Sequence, residues 1–259
     1  MPLLEVSNVT RQFGGVVALD RVSFSVEKGK IVSLIGPNGA GKTTLFNCIT
    51  GVIRPDGGSV RFGDGQADAL EGLVPHQVAR FGIARTFQNI RLFANMSVLD
   101  NVLAGTYIRT KAGLFEALWP WGGAAHQEER WAVDRAYRLL EQFHLDSFAD
   151  HLATSLAYGQ QRRLEMARAL ASDPELLLLD EPAAGLTFQE KQELMRFLRE
   201  LQTRGLTILL IEHDMRVVMP ISDWVVVLDY GAKIAEGAPR AIQENPQVIE
   251  AYLGVKKVG

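Results

Sequence analysis

The chain has 259 residues, 47% of them hydrophobic and 22% charged, which suffices to bury a full core at the upper end of single-domain size. Its 27 basic and 30 acidic residues leave a net charge of -3, so no whole-protein field draws nucleic acid or an anionic membrane surface. The single cysteine, Cys48, cannot make an internal disulfide, and the start MPLLEVSNV lacks a secretory layout, so a cytosolic chain is expected.

In chain order, Leu3 to about Phe62 reads mostly as strand. Leu4, Val6 and Asn8 alternate with Glu5, Ser7 and Val9, and Val22, Phe24 and Val26 alternate with Ser23, Ser25 and Glu27, the period of half-buried sheet. Lys30 to Ile35 then runs through a glycine-rich turn into a helix beginning near Lys42, and a further strand follows at Gly58 to Phe62. Val98 to about Ala171 reads mainly helical, with amphipathic spacing clearest at Glu128 to Phe143 and Gln160 to Leu170. Within it, the large apolar groups from Leu114 to Trp121 read as a short helix packed on its own lobe and stopped at Pro120, the alternative being a docking face for a partner.

After this helical insert come an apolar run at Leu176 to Leu179, a helix from Gln189 to Thr203, and apolar runs at Leu206 to Ile211 and Trp224 to Leu228. Short apolar runs separated by helices predict a parallel sheet covered on both faces. None of these runs approaches the ~20 residues of a bilayer span. The tail from Pro239 to Leu253 reads as one or two short helices, and no repeat, linker or low-complexity tract argues for a second independent domain.

Two motifs carry chemistry. Gly36-Pro37-Asn38-Gly39-Ala40-Gly41-Lys42-Thr43 satisfies G-x-x-x-x-G-K-[ST] between a strand and a helix. Its backbone N–H groups and the helix N-terminus suit phosphates, Lys42 matches β and γ oxygens, Thr43 can hold Mg²⁺, and Thr44 extends the cradle. Leu176 to Leu179 ends in Asp180-Glu181, adjacent acids that a buried strand seldom carries without a cation nearby. Asp180 is placed to reach Mg²⁺ through water, and Glu181 to polarise the water attacking the γ-phosphate.

The loop at Gly36 to Thr43, Gln88, Leu156-Ala157-Tyr158-Gly159-Gln160, Asp180-Glu181 and His213 together resemble the ordered motif set of an ABC ATPase over nearly the whole chain. The resemblance implies an α/β, P-loop NTPase (RecA-like) fold: a mostly parallel sheet core, an N-terminal antiparallel β lobe, an inserted helical lobe at about 89–171 and C-terminal helices at about 239–254. It implies that Phe13 stacks on adenine, where the bland alternative is ordinary core. Gln88 would link Mg²⁺ and the attacking water to a transmembrane partner, and His213 would hold the γ-phosphate. The Leu156 segment resembles the signature LSGGQ, which caps the ATP of the other subunit, but Ala157 and Tyr158 replace serine and glycine. Ala184-Gly185-Leu186-Thr187 matches the following interface loop in part, with Thr187 in the place of aspartate.

The runs LAYGQQRRLEMARAL, LLLLDEPAAGL and ILLIEHDM and the ending Gln247 to Gly254 resemble ATP-binding subunits of bacterial branched-chain amino-acid importers, a branch that also handles urea, short amides and aromatic acids. That likeness implies ATP and Mg²⁺ as ligands and a second ATP-binding subunit, identical or paralogous, in a head-to-tail dimer. It also implies two transmembrane permeases docked around Gln88 to Phe93, a periplasmic solute-binding protein acting through them, and a place at the cytoplasmic face of the inner membrane. Two rivals remain. A soluble ABC ATPase remodelling ribosomes or DNA would carry two modules or sustained heptads, and a small-molecule kinase would carry a lid instead of the Leu156 segment.

Overall fold

The computed structural model describes residues 1–63, 68–108 and 123–253, so the expected helix over Leu114 to Trp121 and the closing Gly254 lie outside the described residues. Two compact units emerge, one from Met1–Arg85 with Glu175–Gly259 and the other from Thr86–Pro174, where the sequence places its helical insert at about 89–171.

The first unit contains two sheets. Strands β1 (Pro2–Phe13), β2 (Val16–Glu27), β4 (Gly57–Phe62) and β5 (Asp68–Ala69) form an antiparallel sheet in the order β2-β1-β4-β5. The period-two reading of β2 holds, with Val22, Phe24 and Val26 buried. In β1 it changes phase: Val9 is buried while Asn8 is exposed. Asn8 has φ 50 at a register shift between Val6 and Val9, and its N–H is taken by the Ser23 hydroxyl at 2.7 Å. A β-bulge at Asn8 therefore turns the strand over, a local event that alternation cannot show.

The second sheet is the core. Strands β3 (Ile31–Ile35), β6 (Ile83–Arg85), β7 (Leu176–Asp180), β8 (Thr207–Ile211), β9 (Trp224–Asp229) and β10 (Ala232–Gly237) take the order β10-β9-β3-β8-β7-β6. All neighbours are parallel except the β9–β10 edge. Every residue of β3, β7 and β8 is buried, which is why these strands read as continuous apolar runs. Phe46, Leu45 and Ile49 of α1 (Lys42–Ile49) join one apolar cluster with Leu34, Leu178 and Leu209, while Ile242 and Val248 join Ile35, Val225 and Val227 in a second.

Several short elements of this unit, β5 among them, carry no sequence signal. The others are α2 (Pro75–Arg80), β6, β10 and the helix Met215–Ile221, which contains Pro220. β6 is three residues recruited by pairing with β7, and β10 is a largely half-buried edge strand lacking alternation.

The second unit is helical, with α3 (Val98–Thr106), α4 (Gly123–Gln142) and α5 (Tyr158–Ala171). Ser97 caps α3 by accepting the Asp100 N–H at 3.0 Å. Gly105 lets α3 lie against α5, because a Cβ there would stand 2.1 Å from the Arg168 carbonyl oxygen. Arg135 of α4 donates to the carbonyls of Leu170 at 2.9 Å and Ala171 at 3.1 Å, meeting the partial negative charge at the end of α5. The remaining helices, numbered in chain order after α5, are α6 (Phe188–Thr203), α7 (Met215–Ile221), α8 (Pro239–Gln243) and α9 (Pro246–Leu253), all in the first unit.

Candidate nucleotide site

β3 delivers the chain into the loop at Gly36, and the loop ends on α1. Gly36 (φ 149), Gly39 (φ 81) and Gly41 (φ 99) hold conformations closed to most side chains. A Cβ on Gly36 would stand 2.1 Å from the Leu228 carbonyl oxygen, and one on Gly41 would stand 2.5 Å from that of Ala18. Neighbouring strands thus press on the loop from outside, while Asn38 and Gly39 remain exposed and Pro37 half-buried. Ala40 is buried beneath, and its carbonyl accepts the Gly231 N–H at 3.2 Å. Gly41 caps α1 without a side-chain hydrogen bond, which leaves the first N–H groups of that helix facing outward with Thr43 exposed and Thr44 half-buried.

Lys42 folds back over this loop. Its buried Nζ donates to the carbonyls of Gly36 at 2.7 Å and Pro37 at 2.9 Å. Burial lowers the ammonium pKa, and the negative charges of Glu181 and Asp180 oppose that shift. The end of β7 thus lies close enough for its two carboxylates to bear on the Lys42 ammonium.

Asp180 is held by Arg85. The guanidinium lies 3.1 Å from Oδ2 in an ion pair with both side chains buried, and it also donates to Asn47 at 2.7 Å and Thr50 at 3.2 Å. Glu181 follows with φ 49, a left-handed conformation unfavourable for a side chain of this kind, while its N–H bonds to the Ile211 carbonyl at 2.9 Å. His213 stands with Nδ1 3.7 Å from Glu181 Oε1 and its side chain largely exposed. Phe13 lies at the tip of the β1–β2 hairpin with 42% of its surface exposed and the Arg11 guanidinium 4.7 Å from the ring centroid, so it is not core.

The remaining candidates belong to the second unit. Gln88 is exposed in the loop after β6, and its carbonyl accepts a hydrogen bond from Arg162. Arg162 also donates to the Phe87 carbonyl at 2.6 Å, while Glu165 accepts the N–H groups of Arg91 at 3.2 Å and Phe87 at 3.4 Å. Arg162 and Glu165 are themselves a buried pair at 3.2 Å, and burial pushes the Glu165 carboxyl up. Leu156 is buried, Ala157 and Tyr158 are exposed, and Gly159 and Gln160 are half-buried. Ala157 is the N-cap of α5 and offers no capping oxygen; Gln160 reaches back to accept the Ala157 N–H at 3.0 Å. The start of α5 keeps N–H groups available for an anion.

The donors suit Mg²⁺, which takes few protein ligands, all oxygen, and completes its shell with nucleotide phosphates and water. Thr43 and Asp180 are of that type, and among the described residues no group of three His, Cys, Asp or Glu side chains could hold a metal unaided. Sequence reasoning missed Arg85, Arg162 and Glu165. Each acts across a long separation: Arg85 meets Asp180 95 positions away, and Arg162 meets Phe87 75 positions away.

A family model described as ABC transporter matches residues 19–184, and one described as branched-chain amino acid ATP-binding cassette transporter matches 232–257. The chain is 48% identical to a high-affinity branched-chain amino acid transport ATP-binding protein of Pseudomonas aeruginosa, over 98% of each protein. A solved ATP-binding cassette of an ABC transporter in its ADP conformation superposes with a TM-score of 0.82 at 33% identity, over 98% of this chain and 99% of that one. A bacterial ABC transporter cassette solved as a dimer superposes with a TM-score of 0.77 at 26% identity, over 92% of this chain and 99% of that one.

Proposed function

The chain belongs to the ABC transporter family as one of its ATP-hydrolysing cassettes, and from that premise we propose that it powers an importer of branched-chain or related hydrophobic amino acids. The observation that carries the site is geometric: Arg85 joins Asn47 of α1, the helix that begins at Lys42, to Asp180 at the end of β7, which brings the two motifs to one place.

ATP lies with its phosphates along the loop N–H groups and the start of α1, and its adenine against Phe13. Lys42 exchanges the carbonyls of Gly36 and Pro37 for β and γ oxygens, an exchange of like acceptors that costs little reorganisation. Thr43 and Asp180 are the residues that would hold Mg²⁺, which when bound neutralises phosphate charge. Arg85 fixes the Asp180 carboxylate, the strained Glu181 polarises the attacking water, and His213 holds the γ-phosphate.

The segment Leu156 to Gln160 completes the site of a second ATP-binding subunit, which completes this one in return. Without the serine hydroxyl of the usual signature, the α5 backbone N–H groups carry that contact. The partners are that second subunit, two permeases docked near Gln88 to Phe93 at the cytoplasmic face of the membrane, and through them a periplasmic binding protein. Among the described residues no helix is long and apolar enough to cross a membrane, which is compatible with docking from outside the lipid.

Glu181→Gln tests this reading. It should bind ATP normally, lose turnover by at least about a hundredfold as expected of a removed general base, and accumulate closed dimers on size-exclusion chromatography with ATP. Normal turnover would remove Glu181 from the role.

A further inference from the structure

Behind the site lies a carboxylate to which no role has been given. Glu212 follows β8 directly and is 1% exposed. Its Oε1 accepts the Ala183 N–H at 2.9 Å, while its Oε2 accepts the N–H groups of His213 at 3.1 Å and Asp214 at 3.5 Å. Burial pushes this carboxyl up, and the three backbone donors oppose that shift.

The two oxygens hold different things. Ala183 lies in the turn that leaves Glu181 and leads, through Ala184 to Thr187, into α6. His213 and Asp214 belong to the opposite segment, where the imidazole reaches toward Glu181 and where Asp214 caps α7. A second strap runs parallel to the first, because Lys191 of α6 pairs with Asp214 at 2.9 Å. Glu212 therefore joins the turn to the histidine backbone through its two oxygens, beside the Lys191–Asp214 pair.

We propose that Glu212 is a positioning residue for hydrolysis: it clamps the 182–185 turn to the backbone of His213, so that displacement of the turn moves the imidazole relative to the γ-phosphate. This rests on the reading of His213 given above. A carboxylate is suited to the task because it only accepts, and all the groups that meet it are donors. Glutamine has the same volume but one oxygen, so in either amide orientation its NH₂ confronts a backbone N–H and one arm opens.

The experiment measures ATP and ADP affinity, turnover, melting temperature and ATP-driven dimerisation for Glu212→Gln in the wild-type and Glu181→Gln backgrounds. The expected result is unchanged ADP affinity, with ATP affinity and kcat each reduced about tenfold, the scale of one lost hydrogen bond to a charged group. The Glu181→Gln/Glu212→Gln protein should also fail to accumulate the closed dimers that Glu181→Gln forms. Closed dimers at the Glu181→Gln level would overturn the proposal, and so would equal losses of ATP and ADP affinity accompanied by a lower melting temperature, the mark of a merely structural carboxylate. If Glu212→Gln does not fold, hydrogen exchange on Glu181→Gln decides: the Ala183 and His213 amides should change protection together between ADP and ATP, and independent changes overturn the clamp. Failure of the wider reading is distinguishable, since Glu181→Gln alone would then turn over ATP.

Discussion

Gly36 is the residue at which strand geometry becomes phosphate geometry. At φ 149, with the Leu228 carbonyl 2.1 Å from where a Cβ would stand, it has no room for even a methyl group. Gly36→Ala must displace either the loop or the end of β9, and overpacking against backbone costs about 1–3 kcal/mol. The variant should melt lower and also lose the stabilisation that ATP confers, which for wild type at a hundredfold excess over Kd is about 2.7 kcal/mol. Thermal melts with and without ATP check both, and a full ATP-induced shift in Gly36→Ala would show that the loop tolerates the displacement. Glu181 presents the complementary case: its φ of 49 is adopted by a residue with no steric excuse for it, at the position proposed to polarise water.

At the scale of elements, α7 shows how a helix with weak intrinsic credentials is held. It is seven residues long and contains Pro220, so its N-cap carries much of its definition. Asp214 accepts the Arg216 N–H at 3.0 Å and pairs with Arg216 at 3.0 Å and Lys191 at 2.9 Å; the Arg216 bond, then Lys191, holds its carboxyl well below the usual range. A depressed acid stabilises the fold above its unfolded pKa of ~3.9 and loses that contribution as pH falls toward the folded value. Asp214→Ala should therefore cost about 1 kcal/mol, and its deficit in melting temperature should stay constant from about pH 8 to about pH 5 and narrow only below about pH 4. The same helix marks what the sequence conceals. β3, β7, β8 and α6 are legible because continuous burial or amphipathic spacing repeats over their length. By contrast, α7, β6 and β10 exist because neighbours recruit them, and the Asn8 bulge depends on a hydroxyl 15 positions away. The candidate site divides in the same way: the loop, Asp180, Glu181, His213 and the Leu156 segment stand in motifs of fixed spacing, whereas Arg85, Glu212 and Arg162 act through pairings that only the fold creates.

At the scale of the molecule, the motifs are shared between units: the phosphate loop, Asp180, Glu181 and His213 belong to one, Gln88 and Leu156 to Gln160 to the other. If each ATP is gripped by the loop of one chain and the α5 N-terminus of another, the two halves can be damaged separately. Gly159→Asp places a negative charge beside N–H groups meant for phosphate and should abolish turnover while leaving ATP binding to the chain's own loop intact. Glu181→Gln damages the other half and spares Gly159. Mixed together, these inactive proteins can form one dimer in which the loop and Glu181 of the first face the intact α5 start of the second, so one complete site reappears. Turnover in the mixture, absent from either variant alone and rising with total concentration, is the expected outcome for two identical cassettes. If the partner is instead a paralogue, the mixture stays silent until that protein is added, and activity then returns through neither variant's damaged half. A Gly159→Asp chain that hydrolyses ATP at the wild-type rate unaided would mean that no second chain completes the site.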